Sequence, residues 1–341
     1  MKNFILYCIA ILVPVFVGIP VVNYIVDPGH VYSEAYIDDV IEGLKQGKNV
    51  ENVSDLNERV FKEKYIKSLY GKSFDYAIIG ASRVMTISTE DFDSCSIINL
   101  GMSGSKLEDL AAIYELCKEN DIHYKNVIID IEPTYFNVGD NDTRWKSLET
   151  YYNSFAGLSS SESDYSLITN LFSASYFKSS LSHIPKLIKG TEEIRVVDTN
   201  VNEGATKIYD GSITYAKAFR ERPQSLIDSE AATWMHGSFK NYNSLSIERI
   251  ELFNKLINAL RSDSVEITFF KGTYHPIFYK RITKSVGMQK AFNYIDEFAQ
   301  KNNIPIISSF NPEDLGLKNT DFYDAAHARK EVLDSIVKWE I

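Results

Sequence analysis

The sequence predicts a three-layer α/β domain, built on a mostly parallel sheet and preceded by one transmembrane helix. Two observations carry this reading. Short apolar strands alternate with helical segments both early and late in the chain, the pattern of a parallel sheet covered by helices. Phe4 to Val26 contains no charged residue, enough to cross ~30 Å of hydrocarbon as a helix.

Lys2 precedes the uncharged run and Asp27 follows it. That flank predicts a cytoplasmic N-terminus at residues 1–3 and an extracytoplasmic remainder. A cleaved signal peptide is the competing reading, but the run is long for one and no clean small-x-small site follows. Asp27–Pro28–Gly29 reads as a turn. Residues 27–73 then form a lead-in, with helices near 33–46 and 54–70, the second capped by Ser54 and closed by Gly71.

The α/β pattern starts at DYAIIG (75–80) and continues with SIINLG (96–101), a helix near 105–119, and NVIIDI (126–131). Residues 137–240 are rich in Ser, Asn, Asp, Tyr and Thr and break the cadence, so they read as an insertion or cap, with IRVVDT (194–199) a short element within it. The pattern returns with a helix near 245–261, VEITFF (265–270), a helix near 287–301, IPIISS (304–309) and a closing helix over 327–339. The external domain is thus 74–339.

With 36 basic and 46 acidic residues, the net charge is -10. Nucleic acid is excluded as a natural partner, because phosphate neutralisation needs concentrated positive charge. There is no dense metal-ligand spacing, P-loop or dinucleotide fingerprint, so neither metal nor cofactor is expected. Cys8 falls in the anchor, and Cys95 and Cys117 read as unpaired thiols. A return of the helix toward the second strand is the arrangement that would join Cys95 to Cys117 in this oxidising location.

Chemistry concentrates in loops after strands, where open α/β sheets bind ligands. Ser82 follows the first strand in Gly80–Ala81–Ser82–Arg83. As a nucleophile it needs a base; alone, it could simply cap a helix. Asp324–Ala325–Ala326–His327 puts a carboxylate three residues before an imidazole, a spacing that lets one orient the other. Gly101 and Gly104, in Asn99–Leu100–Gly101–Met102–Ser103–Gly104, allow close backbone approach, and a backbone N–H there can point at an oxyanion. Arg83 is a candidate anion ligand or internal ion pair. His275, after the strand at 265–270, is a candidate crevice residue or a loop histidine. Glu132 is a further crevice carboxylate.

An early strand-end serine, NLGMSG and a late DxxH together resemble the SGNH/GDSL-like esterase and acyltransferase superfamily. The resemblance is closest to its membrane-associated branch of DltD-like and alginate-acetylation proteins. Asn23–Tyr24–Ile25–Val26–Asp27–Pro28 resembles that branch's membrane-proximal segment. The fold resemblance covers roughly residues 74–136 and 245–339. It implies Ser82 as nucleophile, Asp324 and His327 as its partners, and Gly104 as an oxyanion donor. Block three, usually Gly-x-Asn-Asp, is replaced by Glu132–Pro133–Thr134–Tyr135–Phe136–Asn137. Thr134 lies nearest the usual Asn, and Asn137 three residues on. The serine block is GASR rather than GDS.

The resemblance implies acyl transfer to a cell-surface glycan or teichoic-acid-like polymer through an acyl-serine. The acyl donor, or a membrane acyl-transfer protein, would be a partner. A surface-glycan esterase uses the same residues, and the missing Gly-x-Asn-Asp supports a third reading, a non-catalytic scaffold or polymer-binding protein of an envelope assembly.

Overall fold

The computed structural model describes residues 13–30, 32–53, 56–159, 171–189, 194–198, 203–235 and 237–340. A π-helical turn, Pro14–Gly18, runs into α1 (Ile19–Val26), followed by α2 (Glu34–Lys45), β1 (Asn49–Glu51) and α3 (Glu58–Ser68). Then come β2 (Ser73–Ile79), β3 (Ile97–Asn99), α4 (Leu107–Glu119) and β4 (His123–Asp130). The intervening region holds α5 (Glu149–Ala156), α6 (Ala174–Lys189), β5 (Arg195–Val197), β6 (Thr206–Lys207), β7 (Ile213–Thr214), α7 (Lys217–Arg220) and α8 (Gln224–Thr233). The chain closes with α9 (Ile247–Ser262), β8 (Glu266–Phe270), α10 (Pro276–Ile282), α11 (Val286–Asn302), β9 (Ile306–Ile307) and α12 (Lys330–Glu340).

β2, β3, β4, β8 and β9 form one parallel sheet in the order β3-β2-β4-β8-β9. Ile78 pairs with Ile128, and Ile128 with Thr268. Side chains alternate across the strands, so the apolar runs cover both faces. Ala77, Ile79, Val127 and Ile129 join a core with α4, α9 and α11, whereas Ile78 and Ile128 join a second core with Leu333 and Val337 of α12. The chain leaves β2 toward β3, then crosses back to β4. That reversal opens a crevice at the carboxyl ends of β2 and β4.

A second, antiparallel sheet has the order β5-β1-β6-β7. It unites the lead-in with the inserted region, for β1 pairs with both β5 and β6. Within 137–240, α5 packs on α4. The insertion is laced shut at its base, where Asn137 bridges Leu245 and the Ser246 N–H donates to the Phe136 carbonyl at 2.8 Å.

No helix among the described residues is long and apolar enough to cross a membrane. Residues 4–12 of the expected span lie outside the described residues, while Pro14–Val26 is helical. Ser54, the expected cap, is also outside them. α3 begins at Glu58, and the Asn57 side chain accepts from Arg59 and Val60 N–H. The final helix starts at Lys330, because Phe322 and Ala328 pair as an antiparallel bridge that holds the preceding residues in a tight loop.

The Cys95–Cys117 bond does not form; both thiols are free. Cys117 is buried in the core on the α4 face of the sheet, whereas Cys95 packs against the core on the other face. The sheet separates them, and burial pushes the Cys117 thiol up to about 12.

Candidate active site

Ser82 opens a 3-10 turn, Ser82–Val84, two residues beyond Gly80. Gly80 has φ +151, and a Cβ there would lie 2.3 Å from Asp130 Cβ. Only glycine lets β2 and β4 approach this closely as the chain turns. The Ala81 N–H then donates to Asp130 Oδ2 at 3.2 Å, which fixes the serine loop to the end of β4.

His327 reaches the serine from 245 positions away, with Nε2 2.6 Å from Ser82 Oγ. Its Nδ1 is 2.8 Å from Asp324 Oδ2 and 2.9 Å from Oδ1. Asp324 also accepts the backbone N–H groups of Ala326 at 2.8 Å and His327 at 2.9 Å. An Nδ1–H donated to the carboxylate leaves Nε2 as acceptor for the serine hydroxyl, the arrangement that prepares a serine to lose its proton.

The charges follow. Burial opposes ionisation of Asp324, but the His327 charge and its hydrogen bonds outweigh it and hold the carboxyl at about 2. Burial likewise opposes a charged His327, and Asp324 outweighs it, so the imidazole pKa lies above 6.5. The Asp324 contribution to stability is therefore present above an ordinary carboxyl pKa and is lost as pH falls through about 2. The His327 contribution is present below 6.5 and is lost as pH rises through the raised value. A base must be neutral to act, so kcat/KM for any acyl substrate should rise with pH through an inflection above 6.5. Asp324→Asn removes the charge that raises the imidazole pKa and should move that inflection down. A pH–rate profile of both proteins reads this directly.

A cleft of about 210 Å³ opens over Ser82 and His327. Gly104 and Thr134 line it, Gly104 with φ +57 and Thr134 on the Pro133–Phe136 turn after β4. Among the described residues, the backbone N–H groups of Ser82 and Gly104 donate to no other group, so both remain available to a developing oxyanion. Arg59 of α3 braces the Gly104 loop. Its guanidinium donates to Asp109 at 2.7 and 2.6 Å and to the Gly104 carbonyl at 3.3 Å.

The other sequence candidates are placed elsewhere. Gly101 is buried in tight packing, its N–H bonded to Asn99 Oδ1 at 2.9 Å. Asn137 is fully buried, with its amide N donating to the carbonyls of Ser238 and Lys240 and its Oδ1 accepting from Gly139 N–H; it holds the base of the insertion. His275 is fully buried. It caps α10, its Nδ1 accepting from Ile277 N–H, and its own N–H donates to the Ala325 carbonyl at 3.1 Å. Its Nε2 lies 3.2 Å from Asp228, and burial lowers its pKa. It supports the Asp324–His327 loop from behind.

Arg83 touches the cleft wall but is held by the protein. Its Nη2 is 2.7 Å from both Asp130 Oδ1 and Glu132 Oε2, and its Nη1 donates to the Gly272 carbonyl at 3.1 Å. The Tyr274 hydroxyl donates to the other Glu132 oxygen at 2.7 Å. The network ties the ends of β2, β4 and β8 together beneath the serine.

Sequence reasoning missed four contributors. Tyr215, from the insertion, donates its hydroxyl to the Ser82 carbonyl at 3.2 Å and sets its ring 6.0 Å from the His327 ring. Trp234 and Phe239, also from the insertion, make an apolar wall of the cleft. Arg144 lies over Gly104, close enough that a Cβ there would meet its guanidinium at 2.2 Å, and it pairs with Asp142. Its contact with Gly104 is long-range in sequence, and no local motif marks any of the four.

Among the described residues, no group of His, Cys, Asp and Glu is arranged to hold a metal ion. No curated protein matches the sequence. Residues 36–338 match the family described as "Protein of unknown function (DUF1574)", and the chain belongs to that family.

Proposed function

We propose that this protein is a serine-dependent acyltransferase of the cell envelope. Its acceptor is a surface glycan or teichoic-acid-like polymer, and its fold is that of an SGNH-like domain related to the DltD-like branch. The observation that carries the reading is the 2.6 Å contact between Ser82 Oγ and His327 Nε2, with Asp324 on the opposite ring nitrogen. The strand order and the crevice at the β2–β4 reversal support it. The uncharged run at 4–26 supports a single-pass anchor with the domain outside the cell.

In this reading, Ser82 attacks an acyl carbonyl while His327 takes its proton. The Ser82 and Gly104 N–H groups stabilise the oxyanion. Collapse expels the donor's leaving group, which takes the proton from the imidazolium, and leaves an acyl-serine. A glycan hydroxyl then gives its proton to His327, attacks the ester and returns the serine. Thr134, on the cleft wall, takes the place that block three holds in the superfamily. Water in place of the glycan hydroxyl would make the protein an esterase.

Incubation with activated esters of several acyl lengths, with and without a surface-glycan acceptor, tests this. The expected result is acylated glycan, formed at the expense of free acid. Free acid in equal yield with and without acceptor would make it an esterase. Turnover of none of the esters would favour the scaffold reading.

A further inference from the structure

We infer that α6 is a second membrane-contact element, lying on an anionic lipid surface beside the N-terminal helix. The inference is independent of the serine chemistry but rests on the proposed single-pass anchor.

α6 and α1 pack together although they lie far apart in sequence. The join is polar and specific. Asn23 of α1 is fully buried, and its amide donates to the carbonyls of Leu171 at 2.8 Å and Ser173 at 3.2 Å. The Ser180 hydroxyl donates to Asn23 Oδ1 at 3.1 Å, and the Tyr176 hydroxyl to Asp27 Oδ1 at 2.6 Å. α6 is thus fixed against the end of the uncharged run, not loosely draped on the domain.

Both helices leave apolar side chains open, on α6 alongside exposed Ser175, Lys178, Ser179 and Ser182. Phe16, Val17 and Ile25 are exposed on the N-terminal helix, and Leu181, Leu187 and Ile188 on α6, with Ile188 at 81%. Large apolar side chains left exposed on two helices that pack together point to an interaction site.

Charge selects the occupant. The whole chain carries -10, yet α6 itself contains Lys178, Lys186 and Lys189 and no acidic residue, Glu192 and Glu193 following beyond its end. Lysines combined with exposed leucine and isoleucine on one helix are the composition of an element lying in a lipid interface. Anionic headgroups add attraction for each lysine, whereas the rest of this acidic chain would be repelled. Continuity with the uncharged run at 4–26 favours the same bilayer over a protein partner.

The test uses the full-length chain with a photo-crosslinking phenylalanine at Ile188. A second variant carries it at Tyr70, which is exposed but on neither helix. Both are reconstituted in phosphatidylcholine vesicles with and without phosphatidylglycerol. Lipid adducts at Ile188 should far exceed those at Tyr70 and increase with phosphatidylglycerol. Combining Lys178→Glu, Lys186→Glu and Lys189→Glu should lower the Ile188–lipid adduct roughly tenfold in the anionic vesicles. A chain-to-chain adduct at Ile188 would overturn the proposal in favour of a second copy. No adduct there, or equal lipid adducts at Ile188 and Tyr70, would overturn it outright.

Discussion

Ser82→Ala and His327→Ala should each reduce acyl transfer by about 10⁴-fold or more, with the domain still folded. One supplies the attacking oxygen and the other takes its proton, and they touch at 2.6 Å. Removing either disables the same step. The double variant should therefore be no slower than the worse single variant, a pronounced departure from additivity. Ser82 is a small side chain at the cleft surface, so its loss leaves the core intact. Circular dichroism and a thermal melt alongside the rate measurement separate lost chemistry from lost structure.

Arg83→Met should be the most destabilising substitution near the cleft, by about 3–5 kcal/mol. The arginine side chain is 3% exposed and Asp130 is fully buried. Methionine keeps much of the bulk but leaves Asp130 and Glu132 facing each other without their cation. Burial already pushes the Asp130 carboxyl up despite Arg83. Without the guanidinium it should rise further, so lowering pH should neutralise Asp130 and recover part of the loss. Denaturant unfolding of wild type and Arg83→Met at neutral and acid pH checks both the size and the sign. Arg83→Lys should lose less, because it keeps the charge while giving up the planar fork that reaches three acceptors.

The parallel sheet was legible because its strands are short, uninterrupted apolar runs, and burial on both faces demands that composition. VIID and DYAII could hardly be anything else in this setting. β9 was legible as a strand, but only Ile306–Ile307 pair, since the chain bends away at once. The antiparallel sheet was not legible. β5 falls within IRVVDT, which read as a short element, but its pairing with β1, a three-residue strand in the lead-in, and β1's pairing with the two-residue β6 leave no local pattern.

The same distinction runs through the site. Ser82 and the Asp324–His327 pair stood out because each sits in a short local pattern. Their meeting follows from topology, as the serine loop leaves β2 while the Asp324–His327 loop is held by Phe322 and Ala328 and by the His275 N–H. Asn137 was a candidate oxyanion or substrate ligand because it follows β4, three residues beyond Thr134, which lies nearest the usual block-three Asn. Its amide is taken up by the local Gly139 N–H and by Ser238 and Lys240, which only the returning insertion brings near. Arg83 could be read as ligand or internal pair until Asp130, Glu132 and Gly272 converged on it from other strand ends.

The central claim is that Ser82 is a nucleophile activated by His327, and covalent labelling tests it most directly. Full-length protein is treated with a fluorophosphonate, which reacts with activated serines, and the adduct is mapped by peptide mass spectrometry. The account predicts stoichiometric label on Ser82, fast in wild type and nearly absent in His327→Ala. Label at another residue, or equal labelling of Ser82 in wild type and His327→Ala, would contradict it.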